Sequence, residues 1–269
     1  MAGWSMTVCL PGEARDRVHE AVATAMAPFG RLGEAEGELG LWEAWSIDGG
    51  VTYQGVLRGG HQVRPGHEND PRPVYEDPAR GGDPVPGLCV GGPRGLPALE
   101  ESRAAGERLA GRAWDLWHEL ARDLPPAEPC GGRVRSGDDH CGFGGEHSAY
   151  AGQELPGAFR TGKDALLAAH RGPRVGGEFL HLNHPVEDLA RLGREEFVRR
   201  ESAACLPHEE VLTLDGWWVE GGEGPVHAAC PLPRFCEHAP PLAPGHAGVQ
   251  AYLEALPPDT LLVNVHCRG

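Results

Sequence analysis

Cysteine and histidine crowd the second half of this chain: from Cys130 onward it holds six of the eight cysteines and ten of the fourteen histidines. Thiolate and imidazole are the ligands zinc prefers, and a structural zinc site gathers four of them in a tetrahedron. The densest run is Cys230 to His238, CPLPRFCEH, with His227 upstream and His246 downstream. Cys205 and His208 add a C-x-x-H pair. Ligands drawn from Cys205, His208, Cys230, Cys236 and His238 predict a zinc site whose main task is to hold loops together. A sparser set, Cys130, His140, Cys141 and His147, sits in a Gly-rich stretch and is the weaker alternative. The competing reading is that these cysteines are small buried hydrophobes and the histidines loop residues.

Catalytic patterns do not accompany the ligands. There is no G-x-S-x-G elbow and no H-E-x-x-H pair. His181, His184 and Glu187 would make a two-imidazole, one-carboxylate site with open positions, but Pro185 and Glu187 are better explained as helix-start residues. The single lysine, Lys163, follows a glycine but lacks the rest of a phosphate-binding loop, and reads as a solvated surface residue. A metal-dependent enzyme of unspecified reaction therefore stands as an alternative, with no reaction spelled out. No dinucleotide fingerprint exists, so no cofactor beyond zinc is implied.

A third reading needs no metal. Trp217 and Trp218 fall on opposite faces of any strand that contains them, so one of the pair can reach the surface. Trp218, exposed on a sheet face, would anchor a protein partner or a second copy of the chain, as in an interaction or regulatory module. Bulk charge narrows the partners further. A formal net charge of −15 and a pI near 5.3 argue against nucleic acid, which needs concentrated positive charge. No apolar run is long enough for a membrane span, and residues 1–10 lack a basic region followed by an apolar stretch. The expectation is a cytoplasmic protein with reduced cysteines.

The elements that must position these residues are legible mostly at the two ends. Trp4–Leu10 reads as a strand, Pro11-Gly12 breaks it, and 14–29 carries Val18, Val22, Ala25, Met26 and Phe29 at helical spacing. The far end mirrors this order, with a helix over 248–256, a Pro257-Pro258-Asp259 break and an apolar strand over 260–266. Asp48-Gly49-Gly50 and Asp215-Gly216 each mark a hairpin, over 41–57 and 211–219. The fold class that follows is α+β: a ferredoxin-like sheet with the terminal strands side by side, residues 1–58 and 205–269 forming a split core. Residues 59–204 form a loop-rich helical insertion, in keeping with 40 glycines and 25 prolines. Its clearest helix spans 98–124, striped by Leu109, Ala113, Leu116, Trp117 and Leu120; another spans 185–203.

Two stretches resemble a known family. Leu41-Trp42-Glu43-Ala44-Trp45-Ser46-Ile47-Asp48-Gly49-Gly50 is similar to a W-D-W-Y-x-I-G-G motif of actinobacterial and actinophage proteins that have no established activity. Toward the other end, Phe197 to Glu201, Val211 to Trp218, and Tyr252 to Thr260 with the closing His266-Cys267 pair resemble the same family. The resemblance covers both ends, about half the chain. It departs where Val51-Thr52 replaces the family's Arg-Trp, and where Asn264-Val265-His266-Cys267 replaces a closing Asp-Cys-His. It implies one fold spanning both termini and carries no reaction.

Overall fold

The protein is described by a computed structural model over residues 3–30, 39–47, 49, 51–53, 56–57, 61–76, 83–128, 150, 152–170, 189–203, 210–219, 225–230, 236–243 and 245–268. No helix among them is long and apolar enough to cross a membrane. The chain divides into two units: Met1–Glu100 with Leu206–Gly269, and Glu101–Cys205.

Residues from both ends make the centre of the first unit. Strand β1 (Gly3–Leu10) pairs antiparallel with the last strand, β12 (Leu261–Arg268), through eight consecutive positions from Gly3↔Arg268 to Leu10↔Leu261. On its other edge β1 takes β9 (Val211–Leu212) in parallel, followed by β10 (Trp217–Val219) and β11 (Val226–His227), each antiparallel to its neighbour. The free edge of β12 is shared by β2 (Ala44–Ile47) and β8 (Gly91–Pro93), giving a seven-stranded mixed sheet. Backbones approach closely at β8: a Cβ on Gly91 would lie 2.2 Å from the Leu262 carbonyl oxygen, so only glycine fits there.

The fold is α+β, as expected, but the helices depart from the ferredoxin-like plan, which segregates them to one face of the sheet. Met6, Val8 and Leu10 point one way and pack with Val22 and Met26 of α1 (Val18–Met26), together with Leu261, Val263 and Val265. Cys9 and Leu262 point the other way and pack with Val249 and Leu253 of a helix over His246–Ala255. The physical reason lies in β12 itself. Leu261, Leu262, Val263 and Val265 form a nearly continuous apolar run, which needs cover on both faces rather than one.

Among the described residues, the two halves of the hairpin predicted over 41–57 join different sheets. Its first half, β2, pairs with β12, placing Ile47 opposite Val265 and Trp45 opposite Cys267. Its second half, β3 (Val51–Tyr53), joins a separate three-stranded sheet with β4 (Val56–Leu57) and β6 (Asp83–Pro84). Long-range pairing with an open apolar edge wins over the local turn signal. The hairpin around Gly216 does form, with that glycine at φ +78°, a left-handed conformation glycine adopts without penalty. The first part of the stretch expected to be a loop-rich insertion carries β5 (His61–Gln62), which pairs with β7 (Leu88–Cys89), as well as β8 of the main sheet.

The second unit is helical. Naming its helices in chain order, α2 (Leu99–Asp123) enters it, and α3 (Glu154–Ala169) and α4 (Arg194–Ala203) complete it; the helix over His246–Ala255 in the first unit is α5. Leu109, Ala113 and Trp117 of the predicted stripe are buried with Phe159, Leu189 and Phe197, and Trp117 meets Phe159 edge-on at 5.4 Å. Helix α3 has no counterpart in the sequence reading, which its internal glycines obscure. One of them, Gly162, has a practical role: a Cβ there would sit 2.7 Å from Leu116 Cδ2. Lys163 is buried on α3 at 8% exposure and lies 3.2 Å from Asp164, so it is not the solvated residue expected.

Candidate metal centre

The turn after β11 and the short segment from Cys236 to His238 converge on one point. Strand alternation sends Val226 into the first core and His227 to the opposite face, where its ring stacks on Trp217 at 4.2 Å with an interplanar angle of 4°. Pairing of Trp217 with His227 across β10 and β11 sets that stack. The Nε2 of His227 lies 3.1 Å from the Asp215 carbonyl oxygen. A carbonyl only accepts, so Nε2 carries the proton and Nδ1 keeps a free lone pair. This is the arrangement by which a second partner fixes the tautomer of a metal-binding imidazole.

That lone pair points at two thiols. His227 Nδ1 is 3.1 Å from Cys230 Sγ and 3.2 Å from Cys236 Sγ. His238 Nδ1 approaches the same sulfurs, at 3.3 Å from Cys230 and 3.1 Å from Cys236, and the sulfurs themselves are 3.0 Å apart as free cysteines. All four donor atoms lie within 4.8 Å of one another. Around zinc, with Zn–S near 2.3 Å and Zn–N near 2.0 Å, tetrahedral edges would be roughly 3.4–3.8 Å. The sulfur–sulfur and sulfur–nitrogen edges, at 3.0–3.3 Å, are somewhat tighter than that. The donor set and its convergence fit the ion.

Local backbone explains how a short segment gathers them. The Cys230 amide donates to the His227 carbonyl at 3.2 Å, closing His227-Ala228-Ala229-Cys230 into a tight turn that presents residues three apart to one point. Cys236 and His238 answer with a one-residue gap, and Cys236 also packs against the second core. Electrostatics favour the bound form. Desolvation pushes the Cys236 thiol up, but a hydrogen bond from the Cys230 thiol, together with the contacts Cys236 makes with His227 and His238, outweighs it and brings the pKa down to about 6. Cys230, which donates to that thiolate, is correspondingly raised. Cys236 is therefore a thiolate at neutral pH, the form that binds metal.

Three of the predicted ligands, Cys230, Cys236 and His238, come together here. The fourth is His227, which the sequence reading placed only upstream of the cluster. Its signal was the H-x-x-C spacing to Cys230, the same two-residue gap that drew attention to Cys205 and His208. Cys205 and His208 lie outside the described residues, as do Cys130, His140, Cys141, His147, His181, His184 and Glu187. His266 and Cys267 are not ligands of the centre; they end β12, where Ser5 Oγ meets His266 Nδ1 at 3.2 Å and Cys267 is wholly buried.

Trp218 requires a correction. Both members of the tryptophan pair are covered, Trp217 in the second core and Trp218 in the first, where it is 1% exposed and 5.1 Å from the Phe29 ring. A sheet with helices on both faces leaves neither side of β10 open, so Trp218 is a core residue and offers no partner an anchor. No family model, no curated protein and no solved structure matches this chain.

Proposed function

We propose that the protein binds one zinc ion through His227, Cys230, Cys236 and His238, and that the metal is structural. The observation that carries this is the convergence of two thiols and two imidazoles within 4.8 Å. Two nitrogen and two sulfur donors are a set that zinc takes in tetrahedral sites, which favours zinc among the common divalent metals. Four protein donors fill the tetrahedron and leave no position for water or substrate, which favours a structural role over hydrolytic chemistry. The metal would clasp the segment from Cys236 onward to the β10–β11 hairpin. Free cysteines suit a reducing, cytoplasmic setting.

Elemental analysis of protein purified without an affinity tag tests the proposal. One equivalent of zinc is expected, falling to a small fraction in Cys236→Ser with a lower melting temperature. Less than about a tenth of an equivalent of any transition metal in the unmodified protein, with Cys230 and Cys236 fully titratable in native buffer, would sink it.

A further inference from the structure

On the α1 side of the sheet, a cleft of about 590 Å³ opens between α1, the 213–216 turn and Ala228-Ala229. That size is within the range of small-molecule sites. The room exists because facing positions carry small side chains: Ala14, Ala21 and Ala25 from the helical side, Gly216, Ala228 and Ala229 from the strand side. Leu214 lines it too and is 39% exposed; among the described residues only Tyr75 is another large hydrophobic so uncovered. An apolar side chain left open inside a concave, mostly apolar surface is the signature of a binding site rather than of a packing fault.

The walls are held in place before any ligand arrives. The Trp217 amide donates to Thr213 Oγ1 at 3.0 Å, the Leu214 amide to the Tyr252 hydroxyl at 3.0 Å, and the Ala228 amide to the Gly216 carbonyl at 3.0 Å. Ala228 and Ala229 are also the two residues between ligands His227 and Cys230, so the proposed metal centre backs one wall. A preformed site does not pay ordering entropy on binding.

Charge at the rim selects the ligand. Arg17, Glu20 and Asp215 all border the cleft. The Arg17 guanidinium is 3.7 Å from Glu20, whereas the Asp215 carboxylate has no cationic partner among the described residues. We propose that the cleft binds a small apolar ammonium compound, its hydrocarbon part against Ala21, Ala25 and Leu214 and its ammonium beside Asp215.

Isothermal titration of the zinc-loaded full chain with 4-phenylbutylamine and, in parallel, with the near-isosteric 4-phenylbutyrate tests this. The amine should bind and the carboxylate should bind more weakly. Asp215→Asn should weaken the amine up to about fivefold, the range of a partly exposed ion pair. Ala21→Leu or, should that variant fold poorly, Ala229→Leu should abolish binding by filling the cleft. Zinc content measured on the same samples keeps loss of metal separate from loss of amine binding. No heat with the amine, equal affinity for the carboxylate, or binding untouched by Asp215→Asn and by the filling variants would each overturn the assignment.

Discussion

At the scale of single residues, the chain separates ligands from look-alikes by which strand face each occupies. His227 and Val226 are neighbours, yet one meets Trp217 and two thiols while the other enters the first core. The depressed Cys236 thiol has a direct readout. In chelator-treated protein, alkylation of Cys236 by iodoacetamide, followed by peptide mapping, should rise through a midpoint near pH 6, well below the roughly 8.5 of an ordinary cysteine. Cys230→Ala removes a hydrogen-bond donor to the thiolate and should move that midpoint upward. The same logic would make release of the proposed zinc acid-driven, because both thiolates and both imidazoles must be deprotonated to bind. Trp218 is the other informative position. Trp218→Ala should cost about 3–5 kcal/mol of stability, the toll of emptying a large buried site, seen as a fall in the urea midpoint. An unchanged midpoint would contradict its place in the core.

At the scale of elements, the centre is built by two turns and the pairing between β10 and β11. Gly216 allows the turn before β10 and its carbonyl accepts from the Ala228 amide, so the hairpin's geometry and the ligand geometry are one problem. Gly216→Ala should lower stability by about 1–2 kcal/mol, with Gly216→Asn milder because asparagine tolerates the left-handed region better. Zinc affinity should fall along with stability in Gly216→Ala, measurable by competition with a chelator. Gly91→Ala tests the β8–β12 contact by a different mechanism. Its Cβ would collide with backbone rather than with a flexible side chain, so strand separation at that edge and a loss of about 1–3 kcal/mol are expected in chemical denaturation.

At the scale of the whole molecule, the first unit is stapled by pairing between residues more than 250 apart in sequence, along β1 and β12. His61 on β5 of that unit is 2% exposed, and burial lowers its pKa to about 4 despite an opposing contribution from Asn264. The unfolded chain holds the proton below about pH 6.5 while the folded one refuses it until about pH 4, so stability is lost as pH falls through that window. At the lower end the loss approaches roughly 3 kcal/mol. Urea denaturation between pH 7 and 4 should show it, and His61→Phe should flatten the curve. Asp70 and Asp115, whose carboxylates hydrogen bonds from Arg72 and Arg194 hold low, add their own loss only below about pH 4, so the two effects separate. What the sequence by itself determined is local and periodic: β1 followed by the helical stretch that includes α1, the α5–β12 mirror, the Asp215-Gly216 turn, the α2 stripe, and three ligands crowded within nine residues. Each is set by alternation, helical period or turn chemistry acting over a few positions. Tertiary structure alone decided that His227 joins Cys230, Cys236 and His238, that β2 pairs with β12, and that helices cover both faces so that Trp218 is buried. Those outcomes depend on which edge and which face a strand finds once residues far apart in sequence compete for the same apolar surface, and that competition leaves no short-range pattern to read.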